Sequence, residues 1–198
     1  MLQFNHEIYK KKDTTQIKAV FLDRDGTINE EVNYLSHLHQ LRLLPHVTNA
    51  IRKLNENNFL VIIVTNQPVI AKGLATIAQV KFINDALVSL LNKEGAIING
   101  VYFCPHHPNA NLVKYRLRCS CRKPELAMFE RAIADFEVDV KTSFVIGDST
   151  RDIKAGKDLG VKTFLLKTGY GGSDKSYSVT PDYTCNTLED AVDIILKS

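Results

Sequence analysis

The chain has 198 residues, 44% of them hydrophobic, and a formal charge of +3. That describes one globular domain with enough chain for a substantial core, and so small a charge gives no support for the strongly basic stripe of a nucleic-acid or membrane-surface binder. No run of about 18 apolar residues occurs and Met1 to His6 carries no signal-length apolar segment, so the expectation is a cytoplasmic monomer without membrane or nucleic-acid partners. Lys10-Lys11-Lys12 reads as a solvated lead-in. Residues 1–17 are set apart as an N-terminal extension to a single domain over 18–198, with no internal repeat or low-complexity segment.

In chain order, the first element is an apolar strand over 18–22 that runs into Asp23-Arg24-Asp25-Gly26-Thr27-Ile28. Alternate side chains of an extended segment share a face, so Asp23 and Asp25 converge. Two carboxylates that close repel each other unless a cation lies between them or one holds a proton, and both arrangements are chemically useful. Gly26 turns the backbone away. After a polar, Leu-containing loop to about 44, Pro45 is expected to open a helix with Val47, Ala50, Ile51 and Leu54 at helical spacing. The run Phe59 to Val64 is a strand ending in Thr65-Asn66-Gln67, and Thr76 to Lys93 is a helix with Val80, Ile83, Leu87, Leu90 and Leu91 inward. A strand near 97–103 and a cysteine-bearing loop follow, then a helix over 125–136 and a strand over 143–147 that ends in Asp148-Ser149-Thr150-Arg151-Asp152. A helix over 151–159, a strand over 162–166 and a helix over 188–196 complete the plan. Continuous apolar strands alternating with amphipathic helices predict an α/β, doubly wound (Rossmann-like) parallel sheet, which binds ligands at the carboxyl ends of its strands.

Three of the four cysteines fall in one stretch, Cys104-Pro105-His106-His107-Pro108 and then Cys119-Ser120-Cys121. In a reducing compartment such a cluster points to a metal site rather than to disulfides. Cys104, His106, Cys119 and Cys121 form a Cys3His set suited to a closed, structural, tetrahedral zinc site, with His107 as the alternative imidazole. The loop has little apolar content of its own, so a metal would staple it. Arg122 and Lys123 follow at once, a placement that suits an anion. Cys185 reads as a buried thiol, and His37 and His39 as surface histidines.

Asp23-x-Asp25-Gly26-Thr27, Thr65-Asn66, Lys123 and Gly147-Asp148-x-x-x-Asp152, in this order and at strand ends, resemble the haloacid dehalogenase superfamily of aspartate-based phosphotransferases. With Cys104-Pro105-His106-His107-Pro108 and Cys119-x-Cys121-Arg122-Lys123-Pro124, the chain from about 18 to 172 looks like the heptose 1,7-bisphosphate phosphatase branch, which shares much of this pattern with histidinol-phosphate phosphatases. The resemblance implies a magnesium-dependent phosphomonoesterase. Asp23 would be the nucleophile, Asp25 the general acid and base, and Thr65 and Lys123 the stabilisers of the transferring phosphoryl group. Mg2+ would be held by Asp23, Asp148 and the backbone carbonyl of Asp25, with Asp152 supporting the site indirectly. Arg24, Asn66, Gln67, Arg122 and Ser149 would meet a small phosphorylated sugar.

The implied substrate is a heptose bisphosphate. Histidinol phosphate or another small phosphomonoester is the alternative, and a non-enzymatic zinc-bearing binding module is the reading from a different class. Two departures from the family pattern stand out: Pro68-Val69-Ile70 where many relatives carry Ser-Gly-Ile, and Ser149 where some carry Lys. Only 37 residues separate Thr27 from Thr65 and 57 separate Thr65 from Lys123, which leaves no room for an inserted lid domain. Selection of substrate then falls to residues 30–44 and 104–122.

Overall fold

The computed structural model describes residues 16–197. The lysine run and most of the expected N-terminal extension lie outside them, and Ile17 is already part of the fold, bridged to Val138 with its carbonyl accepting from the Asp139 amide at 2.7 Å. The elements are β1 (Ala19–Leu22), α1 (Val47–Glu56), β2 (Leu60–Asn66), α2 (Pro68–Ala71), α3 (Ile77–Lys93), β3 (Gly100–Cys104), α4 (Ala127–Phe136), β4 (Phe144–Gly147), α5 (Thr150–Leu159), β5 (Lys162–Leu166), β6 (Tyr183–Cys185) and α6 (Leu188–Ile195). All six strands pair in parallel in the order β3-β2-β1-β4-β5-β6. This is the doubly wound architecture the sequence predicts, and no inserted domain interrupts it among the described residues.

Every residue of β1 is buried because the sheet is covered on both faces. Val20 and Leu22, with Val61, Ile63 and Ile146, pack against α1, α3 and α6, whose inward residues include Ile51, Leu54, Ile83, Leu87, Val192 and Ile195. Ala19 and Phe21, with Ile62, Val64 and Val145, face α4 and α5 through Phe129, Ala132 and Ala155. Phe21 meets Phe129 edge to face at 5.4 Å between ring centroids. Cys185 is buried in the first of these two cores, as expected.

Three local readings need correction. Pro45 does not open α1: His46 takes a left-handed backbone (φ +62°), so Pro45 and His46 form a turn and the helix starts at Val47. Leu90 is 38% exposed, whereas the other inward positions expected of α3 are buried. The edge strand β6 has only three residues, two of them exposed, too short a pattern to distinguish from loop. No helix among the described residues is long and apolar enough to cross a membrane.

Gly156 lies where α5 crosses β4 and β5. A Cβ there would stand 2.4 Å from Thr163 Cγ2 and 3.0 Å from Val145 Cβ. Alanine normally gains about 1 kcal/mol over glycine inside a helix, but overpacking a fixed contact costs about 1–3 kcal/mol. The second effect should win, because Thr163 is fully buried with its hydroxyl bonded to Asp182 at 2.8 Å. Gly156→Ala is therefore expected to lower stability by about 1–2 kcal/mol in urea unfolding, and a stabilised variant would show that α5 can lift from the sheet.

Candidate active site

The strand order reverses between β1 and β4, where the chain leaves for opposite halves of the sheet and opens a crevice at the strand ends. Asp23 enters it directly from β1, fixed by its amide on the Ile146 carbonyl at 3.0 Å. Its carboxylate accepts from the Arg24 amide at 2.7 Å and meets Lys123 Nζ at 3.0 Å. Lys123 is 3% exposed, and its ammonium also meets Asp152 at 2.7 Å and donates to the Val64 carbonyl at 2.6 Å. The other oxygen of Asp152 accepts from the amide and hydroxyl of Ser149 at the start of α5. Gly147 permits that fold-back, since a Cβ there would lie 2.4 Å from the Asp152 side chain.

Asp148, at the end of β4, is seated between two glycines. A Cβ on Gly26 (φ +75°) or on Gly169 (φ +54°) would stand 2.2 or 2.1 Å from its carboxylate. The same oxygen accepts from the Tyr170 amide at 2.7 Å, and Thr168 donates to the Gly26 carbonyl at 2.6 Å, tying the loop after β5 to the loop after β1. Nothing in the pattern of apolar runs identifies this loop; its only sequence mark is Gly169-Tyr170-Gly171-Gly172.

Oxygens of Asp23, Asp148 and Asp152 lie within 4.8 Å of one another, with Lys123 ion-paired to two of the three. Burial, with Asp23 and Asp152 beside it, pushes the Asp148 carboxyl up to about 8. Burial likewise raises Asp23, only partly offset by Lys123. Burial would weaken the charge on Lys123, but Asp152 and Asp23 outweigh it and hold the ammonium above its ordinary value. Such an oxygen-rich, under-neutralised cluster fits a hard divalent cation.

Asp25 differs. Burial would raise it, but the charge of Arg24 and hydrogen bonds from Asn29, Arg24 and Gln67 hold it below the ordinary carboxylate range. Arg24, expected to meet substrate, is instead fully buried, and its guanidinium is occupied by Asp25, Asn84 and Gln67. Asn66 and Gln67 line the crevice, but their side chains are committed to ordering it. Asn66 clamps the Lys123 backbone from both sides, and Gln67 donates to Asp25 and Thr65 and accepts from Arg24. The Ser149 hydroxyl goes to Asp152.

Thr65 and Arg122 also line the crevice, with Glu31, Tyr34, His107, Arg151 and Tyr170 added by the structure. Arg122 donates to the His106 carbonyl at 3.1 Å, and burial and the neighbouring Arg151 lower its pKa. Arg151 lies 5.8 Å from the Tyr170 ring centroid. Arg122 and Arg151 thus bring two guanidinium groups to one rim, Arg151 also lying 3.9 Å from the Asp174 carboxylate. His37 and His39 are on the surface, away from it.

Cys104, His106, Cys119 and Cys121 come together with all ligand atoms within 4.8 Å. The Cys121 sulfur is 2.9 Å from Cys104 and 3.2 Å from Cys119, and His106 Nδ1 is 3.3 Å from Cys121. His107 turns instead to the crevice and accepts from the Asn109 amide. Three thiols and one imidazole packed so tightly have the composition and closure of a structural zinc site.

This fold and this carboxylate crevice define a phosphatase of the haloacid dehalogenase type, and residues 120–191 match the HAD-hydrolase-like family model. The chain belongs to the D-glycero-D-manno-heptose-1,7-bisphosphate 7-phosphatase family of that superfamily. It is 37% identical over 183 residues to the Chlorobaculum tepidum enzyme of that name, covering 88% of this chain and 92% of that one. To the β-anomer-named enzyme of Haemophilus ducreyi it is 36% identical over 154 residues, 77% and 84% of the two chains. The crystal structure of the Bordetella bronchiseptica D,D-heptose 1,7-bisphosphate phosphatase, complexed with magnesium and phosphate, superposes with a TM-score of 0.80 at 27% identity, covering 91% of this chain and 99% of that one.

The glycine seat of Asp148 can be tested directly. Gly169→Ala is expected to cut phosphatase turnover by at least about 100-fold, since the methyl must displace the carboxylate. Gly160 has a similar backbone (φ +82°) but nothing within 4 Å of a Cβ, so Gly160→Ala should cost only about 1–2 kcal/mol of stability. Comparable activity in the two variants would show that the seat is not needed.

Proposed function

We propose that the chain removes the 7-phosphate of D-glycero-D-manno-heptose 1,7-bisphosphate through an aspartyl-phosphate on Asp23. The observation that carries this reading is the Asp23 carboxylate, delivered by β1 to the switch point and held 3.0 Å from buried Lys123 with Asp148 and Asp25 beside it. Asp23 oxygen would bond to phosphorus as the bond from phosphorus to the sugar oxygen breaks, and Asp25 would give that leaving oxygen its proton. Water would then attack the acylphosphate phosphorus, with Asp25 taking a proton, and inorganic phosphate would leave with Asp23 restored.

Lys123 and Thr65 would stabilise the phosphoryl oxygens. Asp23, Asp148 and the Asp25 backbone carbonyl would hold Mg2+, whose charge, when present, neutralises the carboxylates and the phosphate. Asp152 would act indirectly, by fixing Lys123. The relatives' names and the paired cations Arg122 and Arg151 support a substrate with a second anionic group away from the reacting phosphate. Zn2+ would close the cysteine cluster and hold Arg122 and Lys123 in place. Residues 18–198 are read as one catalytic domain, with loops rather than a lid choosing the substrate.

Asp23→Asn should fold but lose turnover by on the order of 10⁴-fold. The test is phosphate release with magnesium from heptose bisphosphate, histidinol phosphate and simple sugar phosphates. The bisphosphate should rank first for the wild type. Normal turnover in Asp23→Asn would refute the covalent route, and a preference for histidinol phosphate would refute the substrate. Metal analysis of protein purified without chelator should find one zinc per chain, and its removal should loosen residues 104–123 to hydrogen exchange; protein without zinc but with the same protection would rule out the staple.

A further inference from the structure

Arg24 is the largest fully buried side chain described, a fixed charge with no exposed surface. Taking a guanidinium out of water is costly unless every part of it is bonded. Here Nε donates to Asp25 Oδ1 at 3.0 Å, and Nη2 reaches both oxygens of Asp25 at 2.8 and 2.6 Å and Gln67 Oε1 at 3.0 Å. Nη1 donates at 2.8 Å to Asn84, which comes from the inward face of α3, sixty residues along the chain. Asn29 and Gln67 complete the cage at 2.9 Å each. The carboxylate is thus gripped on both oxygens while still forming part of the crevice wall. A fork of this kind fixes a carboxylate's plane as well as its position, which a point charge does not.

We propose that Arg24, anchored by Asn84, is the positioning residue for proton transfer to the leaving group, acting through Asp25 rather than on phosphate. This rests on Asp25 being the acid of the proposed mechanism. The buried arginine then aims the one group that must meet the departing sugar oxygen, and α3, which contributes nothing else to the crevice, becomes part of the catalytic support.

An alkyl phosphate needs a proton on its leaving oxygen, whereas p-nitrophenyl phosphate releases a stable phenolate without one. Because kcat/KM reports steps only through loss of the leaving group, the two esters separate proton delivery from attack on phosphorus. In Arg24→Met, kcat/KM for heptose 1,7-bisphosphate should fall by about 100-fold more than kcat/KM for p-nitrophenyl phosphate. Asn84→Ala removes only the far anchor, keeps the buried arginine, and should show the same skew at about tenfold. Asp25→Asn is the control for the underlying mechanism and should show the largest skew, to which Arg24→Met adds nothing in the double variant. Equal losses on both esters in Arg24→Met and Asn84→Ala, with a skew retained in Asp25→Asn, would make Arg24 a scaffold residue and overturn the inference. No skew in Asp25→Asn would overturn the acid assignment itself. If Arg24→Met fails to fold, Asn84→Ala decides alone: a skew supports the inference and an even loss, or none, overturns it.

Discussion

The buried contact of Lys123 with Asp23 and Asp152 is the constraint around which the catalytic end of the molecule is arranged. Removing one partner of such a buried pair costs about 3–5 kcal/mol, so the ammonium must be delivered with its neighbours already in place. Three separate pieces of chain do this, β2 twice. β1 delivers Asp23, β2 offers the Val64 carbonyl, the turn into α5 folds Asp152 back, and Asn66 grips the backbone of Lys123 itself. The parallel sheet makes their meeting automatic, because all of its strands end on the same side.

Charge is handled differently on the two sides of the crevice. On the Asp148 side, crowded acids outnumber cations, and burial drives Asp148 and Asp23 towards protonation unless a further cation is present. On the Asp25 side, Arg24 and two amides grip a single carboxylate and hold it below its ordinary range against the pull of burial. Two aspartates one residue apart therefore meet opposite environments, Asp23 raised chiefly by burial and Asp25 lowered by Arg24 and its amide donors.

The sheet and its order of elements were legible because long apolar runs carry their own periodicity and end abruptly in polar residues. Asp23, Asp25, Thr65 and Asp148 could be placed at the crevice for the same reason, Lys123 through the family resemblance and its place just after the cysteine cluster, and that cluster through its spacing. Arg24, which the resemblance set against substrate, instead has one of the neighbouring aspartates as its partner, a pairing that spacing alone does not reveal. Asn84 carries no signal, since a single asparagine on a buried helix face resembles any polar interruption. Arg151 and the loop at 167–172 reach the crevice only through tertiary packing, and the glycines that seat Asp148, Gly26 and Gly169, stand far apart in the chain.

Cys121, Arg122 and Lys123 are consecutive, so the last sulfur of the cluster, the rim guanidinium and the buried ammonium share one short lever. An insertion or deletion inside that lever would dislocate all three at once, whereas the arc from 107 to 118 lies outside it, tied to the end of α2 by the Leu112 amide on the Ala71 carbonyl at 3.0 Å. The arc carries exposed Leu112, Val113 and Leu117 and is bounded by His106 and Cys119. A disturbance of the sulfur cluster is therefore passed at once to both neighbouring cations of the crevice.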